Sequence, residues 1–232
     1  MVLYGRNPVR EAIRGPRTVH RVWATERARR EPWLAGAPAP VTVADAEEIQ
    51  RRCGSPEHQG VCAEVSDFVY APAERLLALP EALIVALDRV QDPHNLGAIC
   101  RSAECAGAAG VVIPERRSAQ VTAAVCKASA GAVEHLPIAR VRNLADFLRD
   151  GKRAGLWCYG AQAGAPAEFS EVDWSGGAVI VLGSEGRGLR PRVAGACDEL
   201  VSIPLRGRIE SLSVSAAAAV LLYAAAAAGR RT

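Results

Sequence analysis

Lysine is nearly missing from this chain. It stands only at positions 127 and 152, although Lys and Arg together number 28. Almost all positive charge is therefore guanidinium, the group suited to forked contacts with phosphates and base edges. A compositional bias that also favours Ala and Gly would produce the same count, so composition leaves both explanations open. The net charge is only +3 and does not mark a general polyanion binder. Aromatics make up 5% of the 232 residues and hydrophobic residues 50%, so the core has to come mainly from Ala, Val, Leu and Ile. No CxxC pair occurs among the seven cysteines. The nearest two, Cys100 and Cys105, are poorly spaced for zinc, and no metal is expected. Scattered, odd-numbered thiols read as reduced and place the protein in the cytoplasm. The opening MVLYGRNPVREAI has charges throughout and no apolar core, which argues against a signal peptide. SVSAAAAVLLYAAAAAG is uncharged but mostly Ala, so a buried helix is expected there and no membrane span.

Three hydrophobic patterns appear before residue 70. TVHRVWAT, APVTVAD and GVCAEVSDFVY read as strands, with helices over VREAI (Asn7 as cap, Pro8 at its first position) and ADAEEIQRRC. They predict a small α/β domain over 1–70. APAERLLALP, with a proline near each end, reads as a linker over 71–80. From there to residue 232 the pattern changes. ALIVALD, GVVIP, GLWCYGA, AVIVLG and LVSIP are apolar on successive residues and alternate with helical stretches, the signature of a parallel sheet covered on both faces.

Ligands of such sheets bind beyond the carboxyl ends of the strands. Three polar, Gly-containing stretches follow three of these strands: DRVQDPHNLGAICR, GSEGRGL and LRGRIESLSVS. Each alone is compatible with an ordinary turn and helix cap. Asn95 reads as an N-cap, Glu185 as a partner of Arg187 or Arg190, and Ser211, Ser213 and Ser215 as caps of the last helix. Together they predict one site at one sheet edge. Glu185 inside GSEGRGL argues against a phosphate cradle, and no GxGxxG follows the first strand of either section, which excludes a dinucleotide-binding enzyme.

DPHNLGAICRSAECAG, VLGSEGRGL and IPLRGRIESLSVSAAAAVLLY resemble the three ordered motifs of the SpoU (TrmH) family of RNA ribose 2′-O-methyltransferases. LYGRNPVREAI, HRVWAT and EHQGVCAEV are similar to the RNA-binding domain of its 23S rRNA guanosine branch. The resemblance implies an α/β fold with a mostly parallel sheet and a deep C-terminal trefoil knot, preceded by the small RNA-binding domain. It implies S-adenosylmethionine as cofactor, held by Gly183, Ile203 and Leu212 with Leu182 and Pro204. It places Asn95, Arg101, Glu185, Ser211 and Ser213 in the catalytic site, and implies a homodimer acting on ribosomal RNA. An arginine stays protonated far above neutral pH, so Arg101 is expected to grip a phosphate and stabilise the developing alkoxide. The family's usual SLNVS reads Ser211-Leu212-Ser213-Val214-Ser215 here, so Ser213 replaces an Asn. Eight arginines between Arg6 and Arg30, including Arg6, Arg10, Arg14, Arg17 and Arg21, face only two acids and are expected to contact RNA phosphates. Two other outcomes stay open. One is a non-catalytic RNA-binding or ribosome-assembly factor, for which Ser213 is the one feature; the other is a resistance or tRNA 2′-O-methyltransferase.

Overall fold

Two hydrophobic periods run along the chain, and each builds its own sheet. The computed structural model describes residues 1–209 and 211–229. In the front section β1 (Val2–Tyr4), β2 (Val19–Ala24), β3 (Val41–Val43) and β4 (Val61–Val65) pair in the order β1-β4-β2-β3. β4 runs antiparallel to both neighbours, whereas β2 and β3 are parallel. α1 (Arg6–Arg14), α2 (Glu26–Arg29) and α3 (Ala46–Cys53) pack around them. The alternation in β4 sends Val61, Ala63 and Val65 to the main core, while Cys62 turns to a smaller cluster with Trp23, Ala44 and Ile49. α1 begins earlier than expected. Gly5 precedes it, Asn7 lies inside its first turn without capping, and the Gln59 side chain accepts from the Arg6 amide at 2.9 Å.

Residues 71–80, expected as a linker, carry structure of their own. They contain α4 (Ala73–Leu77), and Leu76 is fully buried. The second sheet follows, made of β5 (Leu83–Asp88), β6 (Gly110–Pro114), β7 (Ile138–Val141), β8 (Trp157–Ala161), β9 (Ala167–Glu168), β10 (Ala178–Gly183) and β11 (Glu199–Ser202). Their order is β7-β6-β5-β10-β8-β11-β9, and every recorded pairing is parallel. The helices are α5 (Pro93–Cys105), α6 (Ala123–Ala128), α7 (Leu144–Arg153), α8 (Pro191–Ala194) and α9 (Val214–Gly229). Successive residues of β5 and β10 serve opposite cores. Val85, Leu87, Ile180 and Leu182 join the core that contains residues of α5, α6 and α9, while Ile84, Ala86, Val179 and Val181 join the one with residues of α4, α7 and α8. Burial on both faces is why these strands read as unbroken apolar runs.

The two sections share the larger core. α6 is shorter than its sequence suggests because the chain turns left-handed at Ala130, φ 52, and again at Gly131, φ 90; a β-carbon on Gly131 would come 2.7 Å from Glu11 Cβ on α1. Beside that contact Arg17 meets Glu134 at 3.1 Å, with side chains only 5% and 2% exposed. Glu11 receives Arg10 at 2.8 Å and His135 at 3.0 Å, and the Lys127 ammonium donates to the Glu57 carbonyl.

Candidate active site

The loops after β5 and β10 and the entry to α9 meet at one end of the second sheet. Asp92 caps α5 by accepting from the His94 amide at 2.9 Å, with Pro93 at the first helical position. Asn95 is therefore free of the capping role, and its side chain spans the three segments. Its amide donates to Glu185 Oε1 at 3.1 Å, and its carbonyl oxygen accepts from Ser215 Oγ at 3.2 Å. Ser215 Oγ lies 3.2 Å from Ser213 Oγ, and Ser213 Oγ accepts from the Ala216 amide. Ser213 thus caps α9 with a side chain as competent for that task as the Asn it replaces. One hydrogen-bonded chain joins Glu185, Asn95, Ser215 and Ser213.

Glu185 pairs with neither Arg187 nor Arg190. Arg190 is taken by Asp88, at the end of β5, which accepts from its Nε at 2.7 Å and its backbone amide at 2.8 Å. Asp88 is almost completely buried, so this fork fastens the β10 loop to β5. The sequence offers Arg190 only as a partner for Glu185 and does not single out Asp88. The available signal was a carboxylate closing an apolar run, which needs a partner once buried.

Gly183 begins that loop. A β-carbon on it would lie 2.1 Å from the Gly188 carbonyl carbon and 2.5 Å from the Leu189 amide nitrogen, so two backbone segments touch where a side chain would stand. Beside them opens a cleft of about 340 Å³. Of the residues expected in the site, Leu182, Gly183, Glu185, Ile203, Ser211 and Leu212 line it. Pro204, Asn95 and Ser213 lie outside its lining, the last two in the supporting hydrogen-bond chain. Arg101 also lies outside. Six residues beyond Asn95 it has moved about 9 Å along α5 and turned about 240° around it. It is exposed and has no hydrogen bond or ion pair among the described residues. The Glu210 neighbour of Ser211 is outside the described residues.

The donor set fits S-adenosylmethionine. Ala161, Leu182, Ile203, Leu212 and Val214 offer apolar walls, the Gly183–Gly188 backbone offers amides and carbonyls, and Glu185 supplies one negative charge for a cationic ligand. No group of His, Cys, Asp and Glu suited to a metal ion occurs among the described residues. Among the same residues no helix is long and apolar enough to cross a membrane.

Two family models cover most of the chain. Residues 82–223 match the SpoU rRNA Methylase family, and residues 2–71 match the RNA 2′-O ribose methyltransferase substrate binding domain. This chain belongs to the SpoU/TrmH family of S-adenosylmethionine-dependent RNA methyltransferases. Its relatives include the putative TrmH family tRNA/rRNA methyltransferase YacO of Bacillus subtilis, 36% identical over 94% of this chain and 92% of the relative. An uncharacterized tRNA/rRNA methyltransferase of Synechocystis is 38% identical over 96% of this chain, which spans 61% of that longer protein. Among solved structures, an AdoMet-bound rRNA methyltransferase from Sinorhizobium meliloti has a TM-score of 0.82 at 26% identity, covering 97% of this chain and 85% of that one. The SpoU methyltransferase AviRb of Streptomyces viridochromogenes, with AdoMet, shares the fold at TM-score 0.81 and 23% identity, over 98% and 89% of the two chains.

The front arginines of this SpoU chain divide into three sets. Arg6 pairs with Glu31 at 2.9 Å, and Arg10 and Arg14 both lie against Glu11. Arg17 leaves the expected patch altogether, because it is buried against Glu134. Arg21 lies 5.8 Å from the Trp23 ring and is exposed, as are Arg27, Arg29 and Arg30; none of these four has an ion pair among the described residues.

Proposed function

We propose that this protein methylates a ribose 2′-hydroxyl of ribosomal RNA, with a guanosine of 23S rRNA as its target. The observation that carries the reading is the Asn95 bridge, which ties Glu185 to Ser215 beside a cleft of cofactor size. When bound, S-adenosylmethionine supplies an electrophilic methyl carbon on a sulfonium sulfur. A hydroxyl is a weak nucleophile and must give up its proton, here to solvent water, at or before attack. Glu185, held by Asn95, provides the negative charge beside the cationic donor. Gly183, Leu182, Ile203, Leu212 and Pro204 hold the cofactor through backbone groups and apolar contact, and Ser211 faces the incoming RNA from the cleft wall. Arg101 remains a cation, and its part is to hold the phosphate beside the target ribose and stabilise the alkoxide.

Arg101 stands away from the cleft of its own subunit, and a homodimer gives it a site to serve. α9 carries exposed Ala216, Val220, Tyr223 and Ala227 at spacings of four, three and four, an apolar stripe along one helix face. A second copy covering that stripe, beside α5, completes a composite centre. The deep C-terminal trefoil knot belongs to the same family reading and lies within each subunit's own chain. The front domain adds RNA affinity, with Arg21 and the unpaired Arg27, Arg29 and Arg30 as the phosphate contacts and Arg6, Arg10 and Arg14 tempered by their carboxylates. The substrate places the protein in the cytoplasm.

Relatives described as acting on tRNA or rRNA make transfer RNA the second candidate. The test is methyl transfer from labelled S-adenosylmethionine to protein-free ribosomal RNA and to tRNA, with mapping of the labelled nucleotide. Label on one 23S ribose is expected. Label on tRNA alone moves the target, and no label on either RNA or on a pre-ribosomal particle, with cofactor still bound, sinks the catalytic reading in favour of a binding factor.

A further inference from the structure

A second cleft, of about 580 Å³, also borders the β10 loop. Ser184, Glu185 and Gly188 line both clefts, so the two share one wall. Four arginines line the second one: Arg89, Arg117, Arg187 and Arg190. Arg190 is neutralised by Asp88. Arg89, Arg117 and Arg187 have no ion pair or hydrogen bond among the described residues, and Glu185, on the shared wall, is the one acid in the lining. Three uncompensated guanidinium groups in one trough repel one another, and folding alone gives no reason to gather them.

The backbone points the same way. Arg89 has φ 62 and Arg117 φ 59, two of only five non-glycine residues with positive φ among the described residues. A side chain with a β-carbon is disfavoured there, and such strain tends to persist where function requires it. Glycine or asparagine would suit these turns better, yet both positions carry the residue type that binds phosphodiesters in a forked geometry.

We infer that this trough is the seat of the RNA backbone next to the target ribose, with Arg89, Arg117 and Arg187 holding successive phosphates. The shared wall then places the reacting ribose over Ser184 and Glu185, with the strand on one side and the methyl donor on the other. The inference rests on the RNA-methyltransferase reading for the identity of the polyanion. A lone anion needs one forked cation, whereas a run of phosphates accounts for three.

The test is filter binding of in vitro transcribed 23S rRNA across a salt series, comparing wild type with the Arg89→Gln/Arg117→Gln double variant, alongside calorimetric titration of S-adenosylmethionine. RNA affinity at 0.1 M salt should fall at least tenfold. The slope of log affinity against log salt should drop by about 1.4, from two single-strand contacts at ~0.7 each. Cofactor affinity should stay within twofold. Arg89→Gly is the second variant: it relieves the backbone, so its melting temperature should hold or rise while RNA binding weakens. An unchanged salt slope in the double variant overturns the inference. So does cofactor loss in parallel with RNA loss, or a melting-temperature drop in Arg89→Gly with RNA binding intact, which would make the arginine structural. Weakened binding of inorganic phosphate with an unchanged RNA slope would assign the trough to a lone anion and also overturn it. Failure of wild type to methylate RNA would count against the catalytic reading only, since the salt slope is measured without turnover.

Discussion

Arg17→Met is expected to destabilise the protein in a pH-dependent way, and the amount follows from the surroundings of Glu134. Burial raises the Glu134 carboxyl above the usual glutamate range, against the pull of Arg17 and, more weakly, His135. The Arg17 nitrogen is 3.1 Å from Glu134 Oε1 but off the hydrogen-bonding direction, so that oxygen accepts no well-aligned bond and the pair is held by charge. A carboxyl with a raised folded pKa contributes stability at low pH that is lost as pH rises from the ordinary value towards the folded one. Removing the guanidinium pushes Glu134 further up and extends that loss to higher pH. The penalty has a ceiling, because the carboxyl can always keep its proton: holding a group of ordinary pKa about 4.3 neutral at pH 7 costs about 3.7 kcal/mol. Wild type already bears part of this, so Arg17→Met should cost about 1–3 kcal/mol at pH 7, or roughly 2–12 °C in Tm for a chain of this size. At pH 5 most of that difference should be gone. A smaller, pH-independent remainder comes from the lost contact with Phe68, whose ring lies 5.3 Å from the guanidinium. Adding Glu134→Gln removes the charge and should restore most of the neutral-pH stability. Urea unfolding at pH 5 and pH 7 of the three proteins is the assay. An equal loss at both pH values, or no rescue by Glu134→Gln, would refute the reasoning.

Gly183→Ala should abolish S-adenosylmethionine binding, because the new carbon meets backbone atoms that cannot rotate away; calorimetry showing wild-type affinity would contradict the close approach as a requirement. Asn95→Ala removes both bonds of the bridge and should cost about 1–3 kcal/mol in kcat/KM, roughly 5- to 150-fold, with cofactor affinity changed less; steady-state kinetics checks this, and a loss confined to cofactor binding would give Asn95 another task. Arg101→Ala should leave cofactor affinity within about twofold and slow single-turnover methyl transfer by about 100-fold or more; weakened cofactor binding would contradict its placement on the RNA side.

What the sequence disclosed about this molecule depended on how local the cause was. β5 and β10 were legible because burial on both faces needs apolar residues at every position, and that signal survives without knowing what covers them. β7 and β9 were not: four residues with Arg140 among them and two residues at a sheet edge carry no such run. α1 was placed but its start was mistaken, since the Asn7-Pro8 pair imitates a cap that the distant Gln59 makes unnecessary. The site divides in the same manner. The three polar loops after strands were visible as loops, but what joins them is not. Asn95 to Glu185 spans 90 positions, Asn95 to Ser215 spans 120, and Asp88 to Arg190 spans 102. Each such pair is chosen by the topology; for the two that involve the loop after β10, the deciding step is the insertion of β10 between β5 and β8, which no periodicity encodes. The arginines make the same point by contrast. A local count treats Arg6, Arg17 and Arg27 alike, yet the fold neutralises the first, buries the second and leaves the third without an ion pair among the described residues. It also gathers Arg89, Arg117 and Arg187 into a trough from three loops far apart in sequence. For this chain the charge that matters to a polyanion is the charge left over after folding, and that quantity belongs to the topology.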